Sequence, residues 1–251
     1  MLPSYTLDDR RPLFLTVTDR DAEIAGHLPL IHGGGWQVVR TVLATAGDRL
    51  ALQRCVWTKV EGGVRSEIEV IEIDELGESG RFVRSIVFAP ENHAAAHDEL
   101  FERYVAMGAD GLPQCTIEWL RAVNAHDLVR ARDAMADDFV LGDYRRAGMG
   151  RVVGADAYID ALAALYELIP DARMDALFVV TAERHGRVTV NRTWGHNAEG
   201  GEVESLLVAL VHQAGEKLSH IELFEVEHLD YALVRLAEIG SGRTNAATRA
   251  R

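Results

Sequence analysis

Three polar pairs in the second half of the chain have the residue types and spacing that acid–base or ligand chemistry needs. Asp143 and Arg145 stand two apart in Asp143-Tyr144-Arg145-Arg146. An Arg close to a carboxylate keeps it ionised and fixes its orientation, as a general base acting on a substrate C–H or on water requires. The same pairing serves equally as a structural ion pair. Arg192 and Trp194 share one face of an alternating run with Val188 and Val190. If that face is concave, the pair lines a pocket and binds an anionic or carbonyl-bearing ligand. If it is convex, both are surface or interface residues with buried stems. His220 and Glu222 share a face of the last strand-like run, as a catalytic base with its partner or as a solvated strand face. Arg145, Arg192, Trp194 and Glu222 are thus candidate ligand-binding residues, and Asp143 and His220 candidate catalytic ones.

Other polar groups carry less. Glu67 and Glu69 point to one strand face and Glu72 to the other, so they form no dyad, and an exposed strand accounts for them. Gly33-Gly34-Gly35 lacks the Gly-Lys-Ser/Thr context of a phosphate loop and reads as a turn. Cys55 and Cys115 suggest buried or incidental thiols rather than a framework or a metal pair. The ten His residues show no metal-ligand spacing, and His93, His97 and His228 read as solvated surface. No metal or cofactor is expected.

The elements that must position these groups follow from periodicity. In the second half, 113–123 has Ile117, Leu120 and Val123 at helical spacing, and Asp127 can cap a second helix through Met135. A short extended piece at 139–141 and a glycine-rich loop lead to a third helix, capped by Asp156 and ending at Pro170. Strands then read over 175–181, 187–194, 202–212 and 218–225, with a closing helix over 230–239 on a Leu233, Leu236, Ile239 stripe. The first half repeats the later part of this order: a helix over 21–30, strands over 36–45, 49–59, 64–74 and 81–88, and a helix over 91–106.

The two halves align residue by residue. Asp8-Asp9-Arg10-Arg11 meets Asp143-Tyr144-Arg145-Arg146, Leu52-Gln53-Arg54 meets Val190-Asn191-Arg192, and the segment from Phe88 meets that from Phe224. In this alignment Asp8 and Arg10 repeat Asp143 and Arg145, Arg54 repeats Arg192, and Arg84 and Ile86 stand where His220 and Glu222 do. A repeat of this length is a whole small domain. The first copy lacks the helices that open the second, so it begins partway into its fold, borrows those elements from another chain or does without them.

Composition narrows the partners. A net charge of −13 with scattered Arg argues against a nucleic-acid or anionic-membrane surface. No apolar run reaches a membrane-spanning length and the N-terminus lacks signal-peptide character, so a cytoplasmic protein is the default.

The opening helix pair, Phe139-Val140-Leu141-Gly142-Asp143, Gly150-Arg151-Val152-Val153-Gly154 and the final strand at 217–224 resemble a SnoaL-like domain of the nuclear transport factor 2-like superfamily. The resemblance implies an α+β fold of two cone-shaped, cystatin-like domains, each a curved antiparallel sheet around helices. It places a truncated domain at 1–107, a complete one at 112–240 and a disordered tail at 241–251. Such tandem copies are also similar to the C-terminal parts of actinobacterial ATPase or cyclase-type regulators. The implied function is a small-molecule binding or dimerisation module, the sensor part of a larger regulator. The alternative is a cofactor-independent isomerase, cyclase or hydrolase acting on a small apolar carbonyl compound. Implied partners are a small apolar ligand and either a second copy or the internal pseudo-dimer.

Overall fold

The computed structural model describes residues 1–108, 112–183 and 185–241, the side chains of 29–31 excepted. Contacts divide the chain into two compact units, 1–108 and 109–251. The tail expected at 241–251, Ser241 excepted, and most of the junction expected at 107–111 lie outside the described residues.

Unit 1 runs β1 (Thr6–Asp9), β2 (Thr16–Asp19), α1 (Arg20–His32), β3 (Trp36–Ala46), β4 (Leu50–Glu61), β5 (Val64–Leu76), β6 (Phe82–Phe88), a 3-10 turn (Pro90–Asn92) and α2 (His93–Ala106). Its strands lie in the order β2-β1-β6-β5-β4-β3, antiparallel except for β1 beside β6. Unit 2 runs α3 (Gln114–Asn124), α4 (Leu128–Asp133), β7 (Met135–Asp143), β8 (Gly150–Val153), α5 (Ala155–Leu168), β9 (Arg173–Glu183), β10 (Gly186–His196), β11 (Glu202–Ala214), β12 (Lys217–Phe224), a 3-10 turn (Val226–His228) and α6 (Leu229–Gly240). Its strands lie in the order β9-β10-β11-β12-β7-β8, with β7 parallel to β12. From β1 and from β7 onward, element order and strand pairing correspond.

Tertiary pairing decides where the observed elements depart from sequence expectation. The second helix stops at Asp133 because Met135 pairs with Leu218 and opens β7, and Met135 is 2 % exposed in the core. The glycine stretch expected as loop contains β8, hydrogen-bonded to β7. Asp156 does not cap α5. Gly154, at φ 94°, precedes that helix, and Asp156 instead accepts from Arg132 Nε at 2.5 Å. His97 is not solvated: α2 buries it with Ala96, Leu100 and Tyr104, its ring 4.6 Å from that of His93.

Asp127 does cap α4, its Oδ1 accepting from the Arg130 N–H at 3.1 Å. Asp127→Ala removes that acceptor and should cost about 1 kcal/mol in chemical denaturation. Asp127→Ser should recover most of the loss.

The two faces of the unit 2 sheet are covered differently. One face packs on α3, α4 and α5: Leu207, Ala209, Val211 and Ile221 meet Trp119, Ala122, Val123, Ala131 and Tyr158 around the fully buried Phe139. The other packs on α6, where Val188, Val208, Leu210 and Phe224 meet Ala232 and Leu236. The three-helix side is called the inner face below, and the α6 side the outer face.

Register revises the internal alignment. Asp9 pairs with Val87 and Asp143 with Leu223, and the following residues make the same bond, Arg10 N–H to Val87 O and Tyr144 N–H to Leu223 O, each at 2.9 Å. Asp9 and Arg11, not Asp8 and Arg10, therefore repeat Asp143 and Arg145. On β4 and β10 the shift is two residues. Phe88 pairs with Ile71, which pairs with Arg54; Phe224 pairs with Val208, which pairs with Val190. Arg54 thus occupies the place of Val190 rather than Arg192, and Cys55 that of Asn191.

Candidate functional site

Asp143 ends β7 on the inner face, its side chain wholly buried. Arg145 grips it with Nε to Oδ1 at 2.9 Å and Nη2 to Oδ2 at 2.8 Å, and the N–H groups of Arg145 and Met149 add bonds at 3.2 and 3.1 Å. The carboxylate lies so close to Gly148 that a Cβ there would come 2.4 Å from Oδ1. Burial pushes the carboxyl up, but the guanidinium and the two N–H groups outweigh it and hold it below the usual carboxylate range. Arg145 spends its remaining arm on Ser205 Oγ at 3.2 Å. A carboxylate so occupied is a poor proton acceptor. Asp9 and Arg11 form the same clamp in unit 1, with Nη2 to Oδ2 at 2.6 Å and the Arg11 N–H to Oδ1 at 3.1 Å.

The remaining candidates lie on the outer face and do not converge with Asp143. Arg192 and Trp194 both donate to Asp175 Oδ2, at 2.7 and 2.6 Å, with the guanidinium 5.2 Å from the indole centroid. Glu222 sits beneath α6, 3.4 Å from Arg235 Nε and 3.6 Å from His212 Nε2. Burial raises its carboxyl, and His212 with Arg235 more than reverses that. Burial, and then the neighbouring His212, depress His220. Sequence parity had identified which residues share a face; only the helices show which face each group occupies.

Two inner-face polar atoms leave no mark in the pattern of the sequence. Trp119 is 8 % exposed in the core, and its Nε1–H is buried without a hydrogen-bond partner among the described residues. Asn191 pairs across to Leu207, so it points to the same face, and its buried Oδ1 likewise has no partner there. Aromatic rings neighbour Trp119: Tyr158 lies 6.5 Å from it and 5.2 Å from Phe139, centroid to centroid.

In unit 1 the face that corresponds to it by strand register, the one carrying Cys55, Glu72 and Asp74, is different. Asp74 accepts from Ser85 Oγ at 2.6 Å, Gln53 Nε2 at 2.7 Å and Arg40 Nη1 at 3.2 Å. Glu72 on the same face receives the Cys55 thiol at 3.3 Å and lies 3.4 Å from Arg40. Burial, then the Asp74 charge, raise the Glu72 carboxyl, and burial followed by Glu72 pushes the Cys55 thiol to about 12. By register, Ala209 and Val211 stand at these two positions in unit 2. Among the described residues no group of three or more His, Cys, Asp or Glu is placed to hold a metal ion. No described helix is long and apolar enough to cross a membrane.

Residues 116–221 match the SnoaL-like domain family. No curated protein matches the chain in sequence. Among solved structures, a hypothetical protein of ketosteroid isomerase-like fold from Catenulispora acidiphila, solved with trimethylamine, is 14% identical with a TM-score of 0.40, covering 45% of this chain and 87% of its own. An uncharacterised cystatin-fold protein from Novosphingobium aromaticivorans is 20% identical with a TM-score of 0.36, covering 46% and 100%. A protein of unknown function from Burkholderia pseudomallei, described as nuclear transport factor 2-like, is 17% identical with a TM-score of 0.39, covering 49% and 94%. Within the matched residues 116–221, Trp119, Asp143, Tyr158, Asn191 and Ser205 lie on or beside the inner face.

Proposed function

We propose that unit 2 is a binding module for a small, largely apolar molecule, held between the inner face of its sheet and α3 to α5, and that Asp143 does no proton transfer there. The observation that carries this reading is the occupation of the Asp143 carboxylate by Arg145 and two backbone N–H groups. We read the chain as tandem SnoaL-like copies at 1–107 and 112–240. The shared strand order and the repeated Asp–Arg clamp support that reading.

A titration with 2-naphthol, followed through the indole N–H resonances of the four tryptophans, tests it. Trp119 should shift while Trp36, Trp57 and Trp194 stay. A shift confined to Trp194, or none at millimolar probe, would overturn the reading. Acetophenone incubated with the protein in heavy water should exchange its α-protons at the buffer rate.

One observation favours acid–base chemistry as a second reading, and it lies in unit 1. Glu72 is a buried carboxyl with a raised pKa beside Arg40, the pairing that a titrating acid with an electrostatic partner would show.

A further inference from the structure

We infer that the face of unit 1 carrying Cys55, Glu72 and Asp74 is the docking surface for a basic amphipathic helix of a partner protein. In unit 2 the corresponding face is closed by α3, α4 and α5, with α3 running against β9 and β12. In unit 1 only α1 lies there among the described residues, its His27 ring 5.8 Å from that of Trp57. The other helix, α2, belongs to the opposite face, where Arg103 meets Glu75 at 2.7 Å. Strands β3, β4 and β5 therefore keep apolar side chains open to solvent: Val38, Val42 and Ile68 are 44, 52 and 44% exposed, and Ile24 and Leu28 of α1 are exposed beside them. Val38 and Ile68 both pair with Trp57, so the three form one row across the strands, and Val42 pairs with Gln53 on the same face. Such a surface fits the i, i+3, i+4 and i+7 side chains of a helix.

Charge selects the partner. Counting from each helix start, Glu23 and His27 of α1 stand where α5 has Tyr158 and Leu162. By strand register Arg40, Glu72 and Asp74 stand where unit 2 has Ala176, Ala209 and Val211. One guanidinium thus serves two carboxyls, 3.4 Å from Glu72 and 3.2 Å from Asp74, while Glu23 has His27 at 2.9 Å. Burial raises the Glu23 and Glu72 carboxyls and these neighbours do not reverse it, whereas at Asp143 the same effect is outweighed by Arg145. A further cation would reverse it. Glu23 and Glu72 keep 11 and 13% of their side chains open to solvent, enough for a Lys or Arg of the partner to reach them. A second copy of the chain presents the same excess of acids, so like charge opposes face-to-face pairing.

A synthetic peptide of about 18 leucine and lysine residues in helical spacing is the probe, titrated into the full chain and followed through the indole N–H resonances. Trp57 should shift while Trp119 and Trp194 stay. The same peptide with Glu for every Lys should move none of them. Val38→Lys should weaken binding about tenfold or more, because it sets a like charge in the apolar row. Val39→Lys makes the same change of charge on the opposite face, where Val39 pairs with Val56, and should weaken binding by about twofold at most. If Val38→Lys fails to fold, Ile68→Lys takes its place in the comparison. Equal losses from substitutions on the two faces, equal binding of the two peptides, or an unmoved Trp57 at millimolar peptide would overturn the inference. A wild-type chain that sediments as a dimer, and as a monomer in the Val38→Lys variant, would overturn it in favour of a second copy.

Discussion

Arg145→Met should destabilise the protein by about 3–5 kcal/mol at pH 7, because it leaves a wholly buried Asp143 carboxylate without its cation. The dependence on pH should also change sign. In the wild type Asp143 is held below its ordinary value, so its contribution is fully present above the unfolded pKa of about 3.9 and is lost as pH falls through the folded value. Without Arg145, burial dominates and raises the folded pKa. Acidification toward pH 4 then stabilises the variant relative to pH 7. Urea denaturation at the two pH values reads both effects. A variant within 1 kcal/mol of wild type, with the wild-type pH slope, would show that the backbone N–H groups suffice. The same logic separates two residues of unit 1. Arg11→Met strips the cation from Asp9, whose side chain is 6% exposed, and should be costly. Arg10→Met breaks pairs with Asp8 and Glu99 that solvent reaches, and should cost about 1 kcal/mol or less.

That contrast also marks where the sequence stops being legible. Periodicity and β-branched content between turn signals were enough to place β3 to β6, β9 to β12 and the closing helices, although β3 and the start of β5 leave most of their residues exposed. Asp8-Asp9-Arg10-Arg11 contains the Asp-x-Arg pattern twice, one residue apart, and nothing local chooses between them. Pairing with β6 chooses, since a one-residue slip would turn the clamp to the other face. For Arg192, Trp194, His220 and Glu222 the alternation of strand residues gave shared faces without saying which face α3 to α5 would cover. Trp119 read as one more apolar helix residue, because an unpaired indole N–H shows only when its surroundings are built. Glu72 was hidden among the acids of β5. Its burial follows from sharing one sheet face with Asp74, Ser85 and Cys55, which the pairing of three strands, β4, β5 and β6, brings together.

Asp74→Ala should produce the other large effect, about 3 kcal/mol of lost stability, by removing the acceptor of Ser85 Oγ, Gln53 Nε2 and Arg40 Nη1 at once. The substitution has a second consequence that simple loss of packing would not share. Glu72 is raised first by burial and then by the charge of Asp74, so in the wild type its contribution is complete below the unfolded value of about 4.3 and is lost as pH rises through the folded value. With Asp74 gone, Arg40 is left to Glu72 alone and the repulsion disappears, so the Glu72 pKa falls. Stability of Asp74→Ala should therefore decline less between pH 4 and neutrality than that of wild type, although it is lower throughout. Glu72→Gln should flatten the same window with Asp74 intact, since it removes the titrating group. Parallel pH profiles for wild type and both variants would mean that Glu72 is not the group taking up the proton, and the acid–base reading of unit 1 would fall with it.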